Sequence, residues 1–160
     1  MTKYDLKYSL DYLMSYNATL GPPEIIGPTP DGLKMNIYVT GGEVSGPKIR
    51  GKILPVGGDW FTLRPDGIGV LDVRATMKTN DDALIYVSYH GITDLGEDAY
   101  NETLKGESTP QEAYVRSNPK LSTAHPNYIW LNRLFGCNRI AFFKSHKGIG
   151  HDHIPLFNFS

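Results

Sequence analysis

The sequence predicts an all-β protein, a closed antiparallel β-barrel of about eight to ten strands with one short helix. Three observations predict it. Short apolar runs alternate with polar residues at a period of two, as half-buried strands do. Seventeen Gly and eleven Pro separate these runs at fairly even spacing. No strand–helix–strand rhythm, internal repeat or linker interrupts them, so residues 1–160 read as one domain, long enough to fold on one core. Closing such a sheet removes the unpaired edges that invite aggregation.

The first run places Leu6, Tyr8, Leu10, Tyr12 and Met14 on one strand face, with Asp5, Lys7, Ser9 and Asp11 on the other. A Pro-rich passage, Gly21 to Gly32, follows and is excluded from any central strand. Alternation resumes with Met35, Ile37 and Val39, then with Ile49 and Ile53. Further strands are expected over Asp59–Arg64, Gly69–Lys78, Leu84–His90, Ala113–Asn118, Tyr128–Gly136, Arg139–Lys144 and Ile154–Phe159. Pro65-Asp66-Gly67 suits a tight reversal, and Asn80-Asp81-Asp82 supplies residues that tolerate positive φ. Asp98 to Lys105 has helix formers and a Gly stop at Gly106, which predicts the single short helix.

Bulk properties narrow the function classes. Sixteen basic residues against seventeen acidic ones leave no electrostatic footprint for nucleic acid or an anionic membrane. No apolar run approaches the roughly 18 residues of a membrane span, and the charged start Met1-Thr2-Lys3-Tyr4-Asp5 does not read as a signal peptide. The lone Cys137 has no disulfide partner in the chain and reads as a partly buried thiol, so a cytoplasmic setting is expected. Patterns for nucleotide loops, serine hydrolases and zinc sites do not occur, and no cofactor or metal is expected. His151-Asp152-His153 lacks a third ligand at known spacing and reads as an exposed loop.

From Val39 onward the text resembles the DUF3237 (UPF0311) family. The resemblance is carried by Thr40-Gly41-Gly42, Ser45-Gly46-Pro47, Gly51-Lys52-Ile53-Leu54-Pro55, Gly57-Gly58-Asp59-Trp60 and Arg64-Pro65-Asp66-Gly67. It continues through Leu71-Asp72-Val73-Arg74, Ala83-Leu84-Ile85-Tyr86, Tyr114-Val115-Arg116 and Tyr128-Ile129-Trp130-Leu131-Asn132-Arg133, with Gly27-Pro28-Thr29-Pro30 upstream. The resemblance implies a small closed barrel that forms a homo-oligomer; it implies no particular activity. Two departures stand out. Asp82 occupies a turn position where the family has Gly, and Asp tolerates the left-handed region. Leu121-Ser122-Thr123 replaces the family's Phe-Glu-Thr, so a carboxylate available elsewhere in the family is missing at Ser122.

Several residues are able to carry chemistry. Asp59 shares a strand face with Phe61 and Leu63, where a carboxyl either satisfies backbone N–H groups or carries a raised pKa suited to a general acid or base. Asp72 and Arg74 stand two apart and point the same way. They form a solvent-facing pair if the face of Leu71, Val73, Ala75 and Met77 fills the core, and line a pocket if the lumen is the polar side. Tyr86, Tyr114, Arg116, Trp60, Trp130 and Asn132 would add aromatic walls, a cation and an amide. The resulting expectation is a small-molecule-binding barrel acting by cofactor-free proton transfer, as an isomerase, cyclase or lyase on a small hydrophobic or aromatic, polyketide-like metabolite. In it Asp59, Tyr86 and Arg74 are catalytic, and Trp60, Asp72, Tyr114, Arg116, Trp130 and Asn132 bind substrate. The alternative is a non-catalytic carrier barrel for a hydrophobic metabolite.

Overall fold

The computed structural model describes residues 10–107, 112–134, 136–145, 148–151 and 154–159. Among them, eleven strands form one antiparallel sheet: β1 Leu10–Leu20, β2 Glu24–Thr29, β3 Gly32–Ser45, β4 Gly51–Leu63, β5 Ile68–Thr79, β6 Leu84–Asp94, β7 Glu112–Ser117, β8 Lys120–Ser122, β9 Gly136–Ser145, β10 Gly148–His151 and β11 Ile154–Phe159. One short helix, α1 Ala99–Leu104, lies between β6 and β7, and a 3-10 helix, Pro126–Arg133, lies between β8 and β9. Consecutive strands β2 to β7 are neighbours, and the order continues through β9 and β11 to β1. The sheet curls far enough for β1 to pair with β3 over Ser15–Leu20 while pairing with β11 over Leu10–Tyr16.

The period-two pattern decides which face is inside. On β5, Leu71, Val73 and Met77 are buried, and on β6, Ile85, Val87 and Tyr89 are buried; the residues between them are half-buried or exposed. These side chains join Met14, Tyr16, Val39, Val44 and Ile53 in one core on the concave face. Complete burial of a side chain such as Ile85 or Met77 stabilises the fold by roughly 1.5–3 kcal/mol. A smaller cluster, Leu33, Met35 and Leu63 with Ala99 of α1, plugs one end, so the helix serves as a cap. Among the described residues no helix is long and apolar enough to cross a membrane.

Turn chemistry places the hairpins. Gly67, at φ 79°, donates its N–H to Arg64 O and closes the β4–β5 turn. Asp82 is the non-glycine residue with positive φ among those described, at 68°, in the β5–β6 turn where its N–H reaches Thr79 O. Its side chain also pairs with Lys78 Nζ at 2.7 Å, which helps an Asp stand where a Gly is easier. Pro28 falls on β2, the strand that ends the order, where a missing N–H costs no central ladder bond.

Three expectations need correction. Tyr12 and Met14 do not continue one regular face, because the pairing with β11 shifts between them and buries both Leu13 and Met14; the side chain of Leu10 lies outside the described residues. Tyr12 is left exposed. The stretch Tyr128–Gly136 is not a strand: residues 126–133 form the 3-10 helix, opened by Pro126 after His125, whose side chain accepts the N–H of Asn127. His151 lies in β10, not in a loop. Leu6, Tyr8, Asp152, His153 and the side chain of Cys137 lie outside the described residues.

Candidate functional site

The inward row formed by Asp59, Val73 and Tyr89, one residue each from β4, β5 and β6, sets a carboxyl two strands from a buried phenol. Asp59 stands in this row because β4 bulges just before it. Residues 54–56 leave register with both neighbouring strands, and pairing resumes at Gly57 with β5. From Gly57 onward the alternation sends Asp59, Phe61 and Leu63 inward and Trp60 outward.

Asp59 accepts a hydrogen bond from the backbone N–H of Asp72 at 2.9 Å. Burial pushes its carboxyl up to about 7, more than the Asp72 amide lowers it, and the negative charge of Asp72 adds to the rise. Tyr89 is buried and its hydroxyl is pushed well above 10.0, first by desolvation, then by Tyr16 and the nearby Asp59. Tyr16, also buried, reaches the same place from β1, near enough to raise the Tyr89 hydroxyl. A carboxyl and two phenols are thus gathered inside an apolar wall. Ile37, Phe61 and Ala75, which flank Asp59 on the same face, are only half-buried, so part of this wall remains open.

The other face carries most of the expected site. Trp60, Asp72, Arg74, Tyr86, Tyr114 and Arg116 all project from the convex side of β4 to β7. Arg74 Nη1 donates to Asp72 Oδ1 at 2.8 Å, and its guanidinium lies 5.4 Å from the centre of the Trp60 ring. Asp72, through its hydrogen bond and charge, raises the Arg74 pKa further, and Tyr86 adds a smaller effect. His90 faces Asp72 across the β5–β6 pair, with Nδ1 at 3.5 Å from Oδ1; it was missed as a site residue, although its spacing from Tyr86 marks the shared face. Asp59 and the Arg74–Tyr86 pair therefore stand on opposite sides of the sheet, because odd and even positions of an antiparallel pair cannot meet through it. They communicate through Asp72, whose amide holds Asp59 and whose carboxylate holds Arg74. Ser122 pairs with Tyr86 on this outer side, so the family's Glu would also have been remote from Asp59.

Tyr128, Trp130 and Asn132 do not share a face, since the 3-10 helix repeats every three residues. Trp130 Nε1 donates to Asn127 O within the helix, and Asn132 clasps the backbone of Thr123 through two hydrogen bonds of 2.8 and 3.0 Å. Both side chains thus spend polar atoms on neighbouring backbone. Tyr128 donates to Asp81 Oδ1 at 2.8 Å at the edge of an open hollow of about 390 Å3, which Lys48, Arg50 and Asn80 also line. Thr79 and then Tyr128 hold the Asp81 carboxyl down to about 2. The folded form thus favours the carboxylate, and the stability this contributes is lost as pH falls from 3.8 through about 2. Tyr128→Phe is expected to move the Asp81 titration partway back toward 3.8, as read by carboxyl NMR; an unmoved titration would remove the Tyr128 bond from this account.

A curled antiparallel sheet with a half-buried acid beside buried phenols defines a barrel-like all-β protein with ionisable groups on its inner wall. Residues 8–138 match the family described as protein of unknown function (DUF3237), and the chain belongs to that family. It is 33% identical over 121 residues to the UPF0311 protein RPA1785 of Rhodopseudomonas palustris, covering 75% of this chain and 79% of that protein. Among solved structures, a beta-barrel like protein of Acinetobacter baumannii superposes with a TM-score of 0.79 at 23% identity, covering 99% of this chain and 100% of that one. An enzyme of Penicillium herquei superposes with a TM-score of 0.68 at 20% identity, covering 100% of both chains.

Proposed function

We propose that the sheet closes into a barrel and that its interior, at Asp59, is the site of a cofactor-independent proton transfer on a small hydrophobic or aromatic metabolite, in the sense of an isomerase, cyclase or lyase. One observation supports this most. Asp59 is a carboxyl held in apolar surroundings beside Tyr89 and Tyr16, with a pKa of about 7 that lets it take or give a proton near neutrality. Tyr89 and Tyr16, rather than Tyr86, are the phenols placed to steady developing charge on a bound oxygen. Asp72, Arg74 and Trp60 brace the strand from outside, so Arg74 positions Asp59 through Asp72 and does not touch substrate. That an enzyme of Penicillium herquei has a similar fold supports catalysis as compatible with this architecture. The exposed Trp60, Tyr86, Ile92 and Tyr114 on the convex face support self-association of the barrel there.

A neutral ketone with exchangeable α-protons tests the reading. In D2O the protein is expected to catalyse deuterium uptake by 2-tetralone, followed by proton NMR. Asp59→Asn should lower the catalysed rate by about 100-fold or more, the usual size of a lost acid–base group. Tyr86→Phe should leave it within about twofold, since that hydroxyl is on the far face. A catalysed rate that survives in Asp59→Asn would exclude Asp59 as the proton-transfer group. An uncatalysed rate in the native protein, together with normal folding, would favour the carrier alternative.

A further inference from the structure

We infer that Phe61 sets the size of ligand that the Asp59 site takes, and that Gly69 provides the seat that keeps its ring clear of the carboxyl. This rests on the reading of Asp59 as an interior proton-transfer site and adds a specificity-determining residue to it.

The observation that carries it is where exposure ends on the inner face. Ile37, Asp59, Phe61 and Ala75 face inward yet are only half-buried, and they adjoin one another on β3, β4 and β5. Toward α1 the same face closes: Leu33, Met35 and Leu63 are buried with Ala99, and Leu71 beside Phe61 is buried as well. Phe61 packs against both this end cluster and the main core, so its ring stands between the open stretch and the plug. Phe61 follows Asp59 by two residues on one face, about 7 Å along the strand. A ring compound lying along β4 with its reacting carbon at Asp59 would meet Phe61 with its far end.

Gly69 fixes which way that ring leans. It pairs with Leu63, the next inward residue of β4 after Phe61, and is itself buried. A Cβ at Gly69 would lie 2.4 Å from Phe61 Cζ, and 2.8 Å from both Phe61 Cε2 and Thr93 Cγ2. The Phe61 ring therefore occupies the place where another residue would have its side chain. It leans from β4 across β5, toward α1 and away from Asp59. With alanine at position 69 the ring must leave. Leu63 and Leu71 are packed on either side of it, and the room left is the half-buried stretch beside Asp59. A ring there takes space from a ligand while Asp59 keeps its hydrogen bond from the Asp72 N–H.

The test uses two ketones, 2-tetralone and its longer 6-phenyl derivative, and reads deuterium uptake in D2O as kcat/KM on the whole protein. Phe61→Ala is expected to raise the preference for the longer ketone by about tenfold or more, within what one pocket contact can supply. Gly69→Ala should move the preference the other way by about threefold or more, and should lose that effect when Phe61 is already alanine, as coupled neighbours do. Phe61→Leu should shift the preference in the same direction as Phe61→Ala by less, and serves if Phe61→Ala does not fold. An unchanged preference in the Phe61 variants, with exchange still lost in Asp59→Asn, would overturn the inference and leave the interior site standing. A Gly69→Ala effect that persists in the Phe61→Ala background would overturn the seat. No exchange by the native protein, or exchange that survives Asp59→Asn, would overturn the interior site itself and this inference with it.

Discussion

Raising the pH from 4 to 8 is expected to cost the native protein roughly 4 kcal/mol of stability through Asp59 alone. Asp59→Asn should abolish that contribution. The sign follows from proton counting. Between 3.8 and about 7 the folded protein keeps a proton on Asp59 that the unfolded chain has released. Stability from this group is therefore full below 3.8, declines as pH rises, and flattens above about 7, where both states are ionised. Asparagine keeps the shape and stays neutral, so the variant should match the native protein near pH 4 and exceed it at pH 8. Urea unfolding at pH 4, 6 and 8 measures the difference directly. Parallel curves for the two proteins would mean that Asp59 ionises as freely inside the fold as in water, and the proton-transfer reading would lose its base. The direction is also informative about purpose: a core that only needed to be stable would be better with Asn here.

Much of the fold was legible because strands announce themselves through alternation. The runs around Leu71, Val73 and Met77 and around Ile85, Val87 and Tyr89 hold regular pairing over all of β5 and β6, so period and burial agree. The tight reversals at Gly67 and Asp82 were legible for a local reason, since few residues occupy positive φ. The 3-10 helix was not. Tyr128, Trp130 and Asn132 alternate with Ile129 and Leu131 as a strand would, but Pro126 after a capping His125 opens a helical turn, and Leu131 and Leu134 continue a three-residue repeat from Tyr128. For the site, alternation correctly sent Asp59 inward with Phe61 and Leu63. The same rule sends Asp72 and Arg74 outward once Leu71 and Val73 are core, which separates them from Asp59. Tyr16 reaches Tyr89 only through the curl that brings β1 beside β3, a contact between distant segments that no local pattern encodes. Family wording around Asp72 and Arg74 singled out that pair without saying on which face it stands.

The bulge that aims Asp59 provides the second large effect. Gly57→Ala is expected to destabilise the protein by about 2–4 kcal/mol and to bring the Asp59 titration down from about 7 toward its ordinary value of 3.8. Gly57 sits at φ 90°, and a Cβ there would lie 2.2 Å from the carbonyl oxygen of Arg74 and 3.3 Å from Cα of Ala75. These are backbone atoms of β5, so no side chain can swing away; β4 and β5 must part where pairing resumes after residues 54–56. Two residues on, that parting admits water to Asp59 and stretches its bond from the Asp72 N–H. Desolvation is the larger influence on this carboxyl, so water entry lowers its pKa even though a lost N–H donor acts the other way. Gly96→Ala separates strain from contact. Gly96 also has a positive φ, 92°, but a Cβ there meets nothing within 4 Å, so only the backbone penalty remains and Asp59 is unaffected. Thermal unfolding and carboxyl NMR of the two variants read the comparison. If Gly57→Ala lost no more stability than Gly96→Ala and left Asp59 titrating near 7, the tight approach of β4 to β5 would not be what holds the carboxyl out of water.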